Sequence, residues 1–217
     1  MSAIDPQATL KLQPEMLSGE YLHWAGMPNP SVIFHSDDWA MVPFSLLWAG
    51  FAIFWEAGVF GYWGNGPRNG AVSWFMVMWG IPFIVIGQYM VWGRFVYDAW
   101  LKRRTYYAVT NRRVMVLQEG LKRKSSWTYL EAIPMIEREG TRRGTLWFGT
   151  KYPLIAGRKQ RTRDPSRFAV GGVPVFADID DVDGVQRVVD ELREKARKES
   201  NSANAHAPGP LSYPQDQ

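Results

Sequence analysis

Glu56 is the one charged side chain in a long apolar run, AMVPFSLLWAGFAIFWEAGVFGY from Ala40 to Tyr62. An intramembrane carboxylate can serve as a proton or cation site, or as a contact to another subunit. The plainer alternative is a carboxylate leaning toward the outer headgroups, since six residues at helical rise put it about 9 Å from Tyr62. Other reactive residues are sparse. His35 with Asp37 and Asp38 has the composition of a metal cluster, yet adjacent carboxylates at a membrane edge are more simply solvated or paired. His23 and His206 stand apart, and the chain has no cysteine, which excludes disulfides, thiolate metal sites and cysteine nucleophiles. Gly19-Glu20 is no phosphate loop, and Gly171-Gly172 lacks the helix and lysine a nucleotide loop needs. With no nucleophile-elbow or kinase motif either, the expectation is a protein without catalytic residues, cofactor or metal.

Charge is the more marked signal. Lys102 to Arg167 holds seventeen Lys and Arg against five acids, whereas Asp178 to Glu199 is net −3. Near an anionic bilayer each cation gains about 1 kcal/mol. Solubility and membrane topology would explain part of the same excess. The densest run is GRKQRTRDPSR, Gly157 to Arg167, so Arg158, Lys159, Arg161, Arg163 and Arg167 are the candidate lipid- or partner-binding residues. No nucleic-acid partner is expected, because Trp127, Tyr129, Trp147 and Phe148 read as core of a β-barrel rather than as base-stacking platforms.

The elements that carry these residues begin with two spans. A second run, AVSWFMVMWGIPFIVIGQYMVWG from Ala71 to Gly93, has no charge at all. Spans of about 40–62 and 71–93 are each long enough to cross roughly 30 Å of hydrocarbon as a helix. Neither shows the polar stripe of a soluble helix, and the turn-rich GNGPRNG joins them into a hairpin. Nine of the eleven tryptophans lie between Trp24 and Trp100, as interfacial aromatic belts require. Lys102, Arg103 and Arg104 follow the second span while the connection offers only Arg68, which places both termini in the cytoplasm. The N-terminus, with Asp5, Glu15 and a single Lys11 before Glu20, does not read as a cleavable signal peptide. Folding the hairpin about Gly66 sets Arg94 opposite Asp38, an interfacial ion pair with Asp37 as alternate, and Gly80 near Ala52.

After the spans the pattern changes to short strands, predicted at Thr105–Val109, Val114–Gln118, Ser126–Leu130, Pro134–Arg138, Thr145–Phe148 and Pro174–Ile179. Asp180 or Asp181 can cap a following helix. Its Val182, Val185, Val188, Val189 and Leu192 share one face. The polar tail from residue 198 is expected to be disordered.

Three segments carry a resemblance. Tyr107-Ala-Val-Thr110-Asn111-Arg112-Arg113-Val114-Met-Val116 resembles the first hairpin of bacterial pleckstrin-homology-like domains. Val175-Phe176-Ala-Asp-Ile179 through Leu192 is similar to their closing strand and helix. Ser18-Gly19-Glu20-Tyr-Leu-His-Trp24-Ala-Gly26-Met-Pro28 is similar to the N-terminal signature of members in which a two-span hairpin precedes the domain. The resemblance covers roughly residues 17–196. It implies an α+β membrane protein whose transmembrane hairpin is followed by a seven-stranded bent sheet or barrel closed by a C-terminal helix, with the unread strand expected within Lys151–Gly172. The implied division is a cytoplasmic segment 1–39, a hairpin 40–100, a PH-like domain 101–197 and a tail 198–217. The implied place is the bacterial inner membrane. The function expected is a non-enzymatic adaptor or scaffold binding a lipid headgroup, a membrane protein or a second copy. An accessory subunit of a transport or proton-linked assembly using Glu56 is the alternative.

Overall fold

The computed structural model describes residues 4–32, 38–60, 71–149, 154–155, 158–159, 169–170 and 173–205. The chain is α+β and forms two compact units, Met1–Asn29 with Arg104–Gln217, and Pro30–Arg103.

In the first unit, β1 (Leu22–Gly26), β2 (Thr105–Thr110), β3 (Arg113–Glu119) and β4 (Arg123–Tyr129) form an antiparallel sheet in that order. The β-branched and aromatic residues of β2 and β3 favour a pleated, covered surface. Both faces of β2 are buried along its whole length. On one face Tyr106, Ala108, Met115 and Leu117 pack with Ala25 and with Ala8 and Leu12 of a short helix, α1 (Pro6–Leu12). The Asp5 side chain caps α1 by accepting from the amides of Gln7 at 2.8 Å and Ala8 at 3.3 Å, with Pro6 as the first helical residue. On the other face the buried Tyr107 ring stacks on Phe176, centroids 4.7 Å apart, and Phe148 and Trp24 complete the cluster at 4.8 and 5.6 Å from Phe176.

Phe176 belongs to the second sheet, ordered β5 (Glu137–Glu139), β6 (Gly144–Trp147), β10 (Val173–Ile179), β9 (Ala169–Val170), with β7 (Leu154–Ile155) and β8 (Arg158–Lys159) as a separate pair. The register of β10 on β6 shifts between Phe176 and Ile179, and Asp178 there has φ +54°. A bulge strands backbone groups. The Tyr107 hydroxyl serves them, donating to the Ala177 carbonyl and accepting from the Ala177 amide, each at 3.0 Å.

The last helix, α5 (Val182–Ala205), starts at Asp181, whose carboxylate accepts from the Gly184 amide at 2.9 Å. Val182, Val185, Val189 and Leu192 are buried and Val188 is half-buried, so the valine stripe covers apolar surface as expected. Arg193 donates to the carbonyls of Ile133 and Pro134 at 2.5 and 3.1 Å, fastening α5 to the segment after β4.

Three expectations are revised. Unread strands do lie within 151–172, the two-residue β7, β8 and β9, but β1, eighty residues upstream of its neighbour, is a further strand that the sequence pattern did not include. The N-terminal segment is therefore part of the β unit rather than a separate stretch ending at 39. The helix also runs past 197 to Ala205, supported by Lys198–Glu194 at 2.6 Å; residues 206–217 lie outside the described residues.

The second unit contains α2 (Asp38–Val59), α3 (Ala71–Gln88), a five-residue π-helical turn (Tyr89–Gly93) and α4 (Arg94–Lys102). Two stretches, Met41–Val59 and Trp74–Lys102, are long and apolar enough to cross a membrane. Leu47, Phe51, Trp74, Phe75 and Trp79 stand exposed on the pair, an arrangement that surrounding hydrocarbon would satisfy. The helices meet one turn away from the expected register: a Cβ on Gly87 would lie 3.1 Å from the Ala49 Cα, and Gly80 faces Glu56 rather than Ala52.

Candidate functional site

The β unit is locked at one point by a buried ion pair. Gly19, at φ +75°, turns the chain so that Glu20 enters beneath the β2–β3 turn. Arg113 Nε donates to Glu20 Oε1 at 2.9 Å and Arg113 Nη2 to Oε2 at 3.0 Å. The Thr110 hydroxyl adds a bond to Oε1 at 2.7 Å, and the Leu17 amide one to Oε2 at 2.8 Å. Arg113 Nη2 also donates to the Glu15 carbonyl at 2.7 Å. Burial alone would raise the Glu20 carboxyl, but the bonds from Arg113, Leu17 and Thr110 and the Arg113 charge outweigh it and hold the group below the usual carboxylate range. Asn111 closes the same junction, accepting from the Tyr21 amide at 3.0 Å and donating its own backbone amide to the Tyr21 carbonyl at 3.1 Å. The Gly-Glu and Thr-Asn-Arg-Arg segments, some ninety residues apart, are thus two halves of one contact.

Next to this junction the β3–β4 hairpin faces solvent. Leu121 at its tip is 85% exposed, flanked by exposed Lys122, Arg123 and Lys124. Further along β4, Trp127 and Tyr129 are 46% and 45% exposed and meet edge to face at 5.1 Å. The Arg113 guanidinium lies 5.4 Å from the Trp127 ring. This corrects the barrel-core reading of these two aromatics; Phe148 is buried as expected and Trp147 is half-buried. The misreading has a physical source. Odd positions of β4 lie on the α1 face of the sheet, but α1 is only seven residues long and covers Met115 and Leu117 without covering Trp127.

Of the basic residues singled out in sequence, Arg158 and Lys159 form β8, paired with Ile155 and Leu154, while Arg161, Arg163 and Arg167 lie outside the described residues. The cation excess is also partly spent inside the chain. Lys102 is buried, with its ammonium 3.0 Å from Asp98 and 2.5 Å from the Val32 carbonyl, so it is not a free surface cation. Arg123 pairs with Glu15 at 2.7 Å, Arg143 with Asp180 at 3.0 Å, and Arg138 with Asp183. With Arg113, these five described cations meet acids from outside the basic stretch.

His23 is exposed beside Tyr21; desolvation and then the Lys195 charge lower its basicity against an opposing pull from Glu191. His35, Asp37 and His206 lie outside the described residues, as does the side chain of Asp38. The Arg94 guanidinium stacks 4.4 Å over Phe95. Among the described residues no three His, Cys, Asp or Glu side chains gather as a metal site.

Glu56 does not lean outward. It is 5% exposed, and a Cβ built on Gly80 would fall 1.6 Å from its Oε2, so the carboxyl occupies the notch that this glycine leaves. Among the described residues neither carboxyl oxygen has a hydrogen-bond partner.

Comparison of the chain with protein-family models, with curated proteins and with solved structures returns no match.

Proposed function

We propose that the protein is a non-enzymatic membrane adaptor, whose two apolar helices sit in the bacterial inner membrane and whose β unit, PH-like by its sequence resemblance, works at the cytoplasmic surface. The observation that carries this reading is the β3–β4 hairpin: an exposed leucine, a run of cations and an exposed Trp–Tyr pair on one element. Cations attract anionic headgroups, while Trp and Tyr favour the boundary between water and hydrocarbon. Anionic lipid is therefore the first ligand to test, and a partner protein the second.

Topology supports the placement. Gly26 at the end of β1 is the Cα partner of Tyr107 in β2, so the helical unit is inserted between two hydrogen-bonded strands. A chain that leaves and re-enters one sheet crosses a bilayer an even number of times. Cysteines at the exposed Leu10 and Ser202 should accordingly show the same protection from an impermeant thiol reagent in intact cells.

The lipid test uses a soluble form in which residues 30–103 are replaced by about eight Gly/Ser residues, a span of roughly 15 Å. It should cosediment with anionic vesicles at low salt and leave them at high salt, because exposed charges are screened over about 8 Å at physiological ionic strength. Lys122→Gln with Lys124→Gln and Trp127→Ala should abolish the binding. A folded soluble form that ignores anionic vesicles at low salt would move the choice to a protein partner.

A further inference from the structure

The antiparallel order of the first sheet returns the β3–β4 tip to the end at which the chain arrives from the apolar helices. Arg104 opens this part of the β unit, and β2 begins at the next residue, Thr105. Thr105 is the register partner of Gln118, and the Glu119 amide donates to the Arg104 carbonyl at 2.8 Å. Glu119 in turn pairs with Arg123, so Gly120, Leu121 and Lys122 project beyond the ladder. Leu121 is two residues from Glu119, a reach of about 7 Å. Among the described residues of the β unit it is the most exposed large apolar side chain, with exposed Lys122 and Lys124 beside it. The stem below is braced on both strands, by Lys11 on Glu119 at 2.8 Å and by Arg123 on Glu15 at 2.7 Å.

The apolar stretch that leads to Arg104, Trp74–Lys102, has 29 residues. As a helix it measures about 43 Å, the thickness of a bilayer with its headgroups. Two further residues reach Arg104, and the tip is bonded beside it. We infer that the β3–β4 tip enters the bilayer that holds the protein's own helices, with Leu121 below the headgroups and Lys122 and Lys124 among their phosphates. The inference rests on the lipid reading of the hairpin and narrows the ligand to the host membrane. One leucine and two cations would hold a free membrane weakly, but the covalent span makes the contact intramolecular. The sheet is then oriented, tip down. The β2–β3 turn at Arg112, seven residues back along β3 from Glu119 and about 23 Å away, faces water.

The chain has no cysteine, so Leu121→Cys and, as control, Arg112→Cys each give one labelling site, both at exposed positions. The full-length variants, carrying a nitrobenzoxadiazole dye, are placed one copy per lipid nanodisc of phosphatidylcholine with phosphatidylglycerol. At 121 the emission should shift to the blue. A nitroxide on the lipid chains of the same disc should remove most of it, and aqueous iodide little. At 112 iodide should quench and the nitroxide should not. Iodide quenching at 121 as strong as at 112, with no effect of the nitroxide, would overturn the inference. So would quenching at 121 by nitroxide lipid in added protein-free discs but not in the host disc. Cosedimentation of the soluble form keeps the two readings apart. If that form binds anionic vesicles while position 121 stays in water, the lipid reading stands and insertion into the host membrane falls. If it ignores them while 121 is buried in its own disc, insertion stands and the lipid affinity of the detached unit falls.

Discussion

Arg113 grips Glu20 through two hydrogen bonds in a site closed to water, joining the turn after β2 to the segment before β1. Neither charge could lie there alone. With the Thr110 hydroxyl and the Leu17 amide also on the carboxylate, its lone pairs are served, which is the condition for a buried pair to be tolerated.

Removing one partner should therefore cost far more than removing both. In the soluble form lacking 30–103, Glu20→Ala is expected to lower unfolding free energy by roughly 3–5 kcal/mol, and Glu20→Leu with Arg113→Met by much less. Urea titration of the three proteins decides it. A single-mutant loss below about 1 kcal/mol would show the pair to be unimportant for folding.

Acid should loosen the same contact. The folded Glu20 carboxyl is depressed, so below the unfolded value of about 4.3 the unfolded chain takes up the proton first. Its stabilisation is complete above that pH and is lost as pH falls through the folded value. Stability measured from pH 6 downward should show this decline, and Glu20→Gln should flatten it.

Tyr107→Phe removes the hydroxyl that pairs both backbone groups of Ala177 at the bulge in β10. Shape is kept, so the expected cost of about 1–3 kcal/mol reports the stranded amide and carbonyl. Thermal melts of the soluble form are sufficient to measure it.

Phe176 is fully buried among the rings of Trp24, Tyr107 and Phe148. Phe176→Ala should cost roughly 3–5 kcal/mol. A cost below about 1 kcal/mol would mean that the two sheets do not share this core.

A fragment of residues 103–197 should fail to fold as a native β unit, because it lacks β1, α1 and Glu20. The form that retains residues 4–29 through a linker should give cooperative unfolding and dispersed amide resonances. Equal stability of the two would show the N-terminal segment to be dispensable.

These tests separate what one-dimensional pattern conveys from what pairing adds. The two apolar helices, β2 to β4, β10 and the valine stripe of α5 are visible in sequence because their periodicity is local. Leu22–Gly26 is not: LHWAG has no clean alternation, and its neighbour lies eighty residues on. Glu20 and Arg113 stand out only as separate short signatures, since their meeting depends on that same pairing. The exposure of Trp127 and Tyr129 was hidden for another reason, the short reach of α1. Glu56 is conspicuous as a residue, yet its approach to Gly80 is not, because the helices meet one turn away from the register that set Gly80 near Ala52.

The pairing of β1 with β2 also sets a schedule for biosynthesis. Trp24 leaves the ribosome 85 residues before its register partner Val109. At about 5–20 residues per second that is a wait of roughly 4–17 s. Throughout it the first strand has no edge to join, and both apolar helices are made meanwhile. The nascent chain must therefore commit its helices before the sheet can close, and a stall anywhere between Pro30 and Arg103 would release an N-terminal stub with Trp24 and Ala25 uncovered.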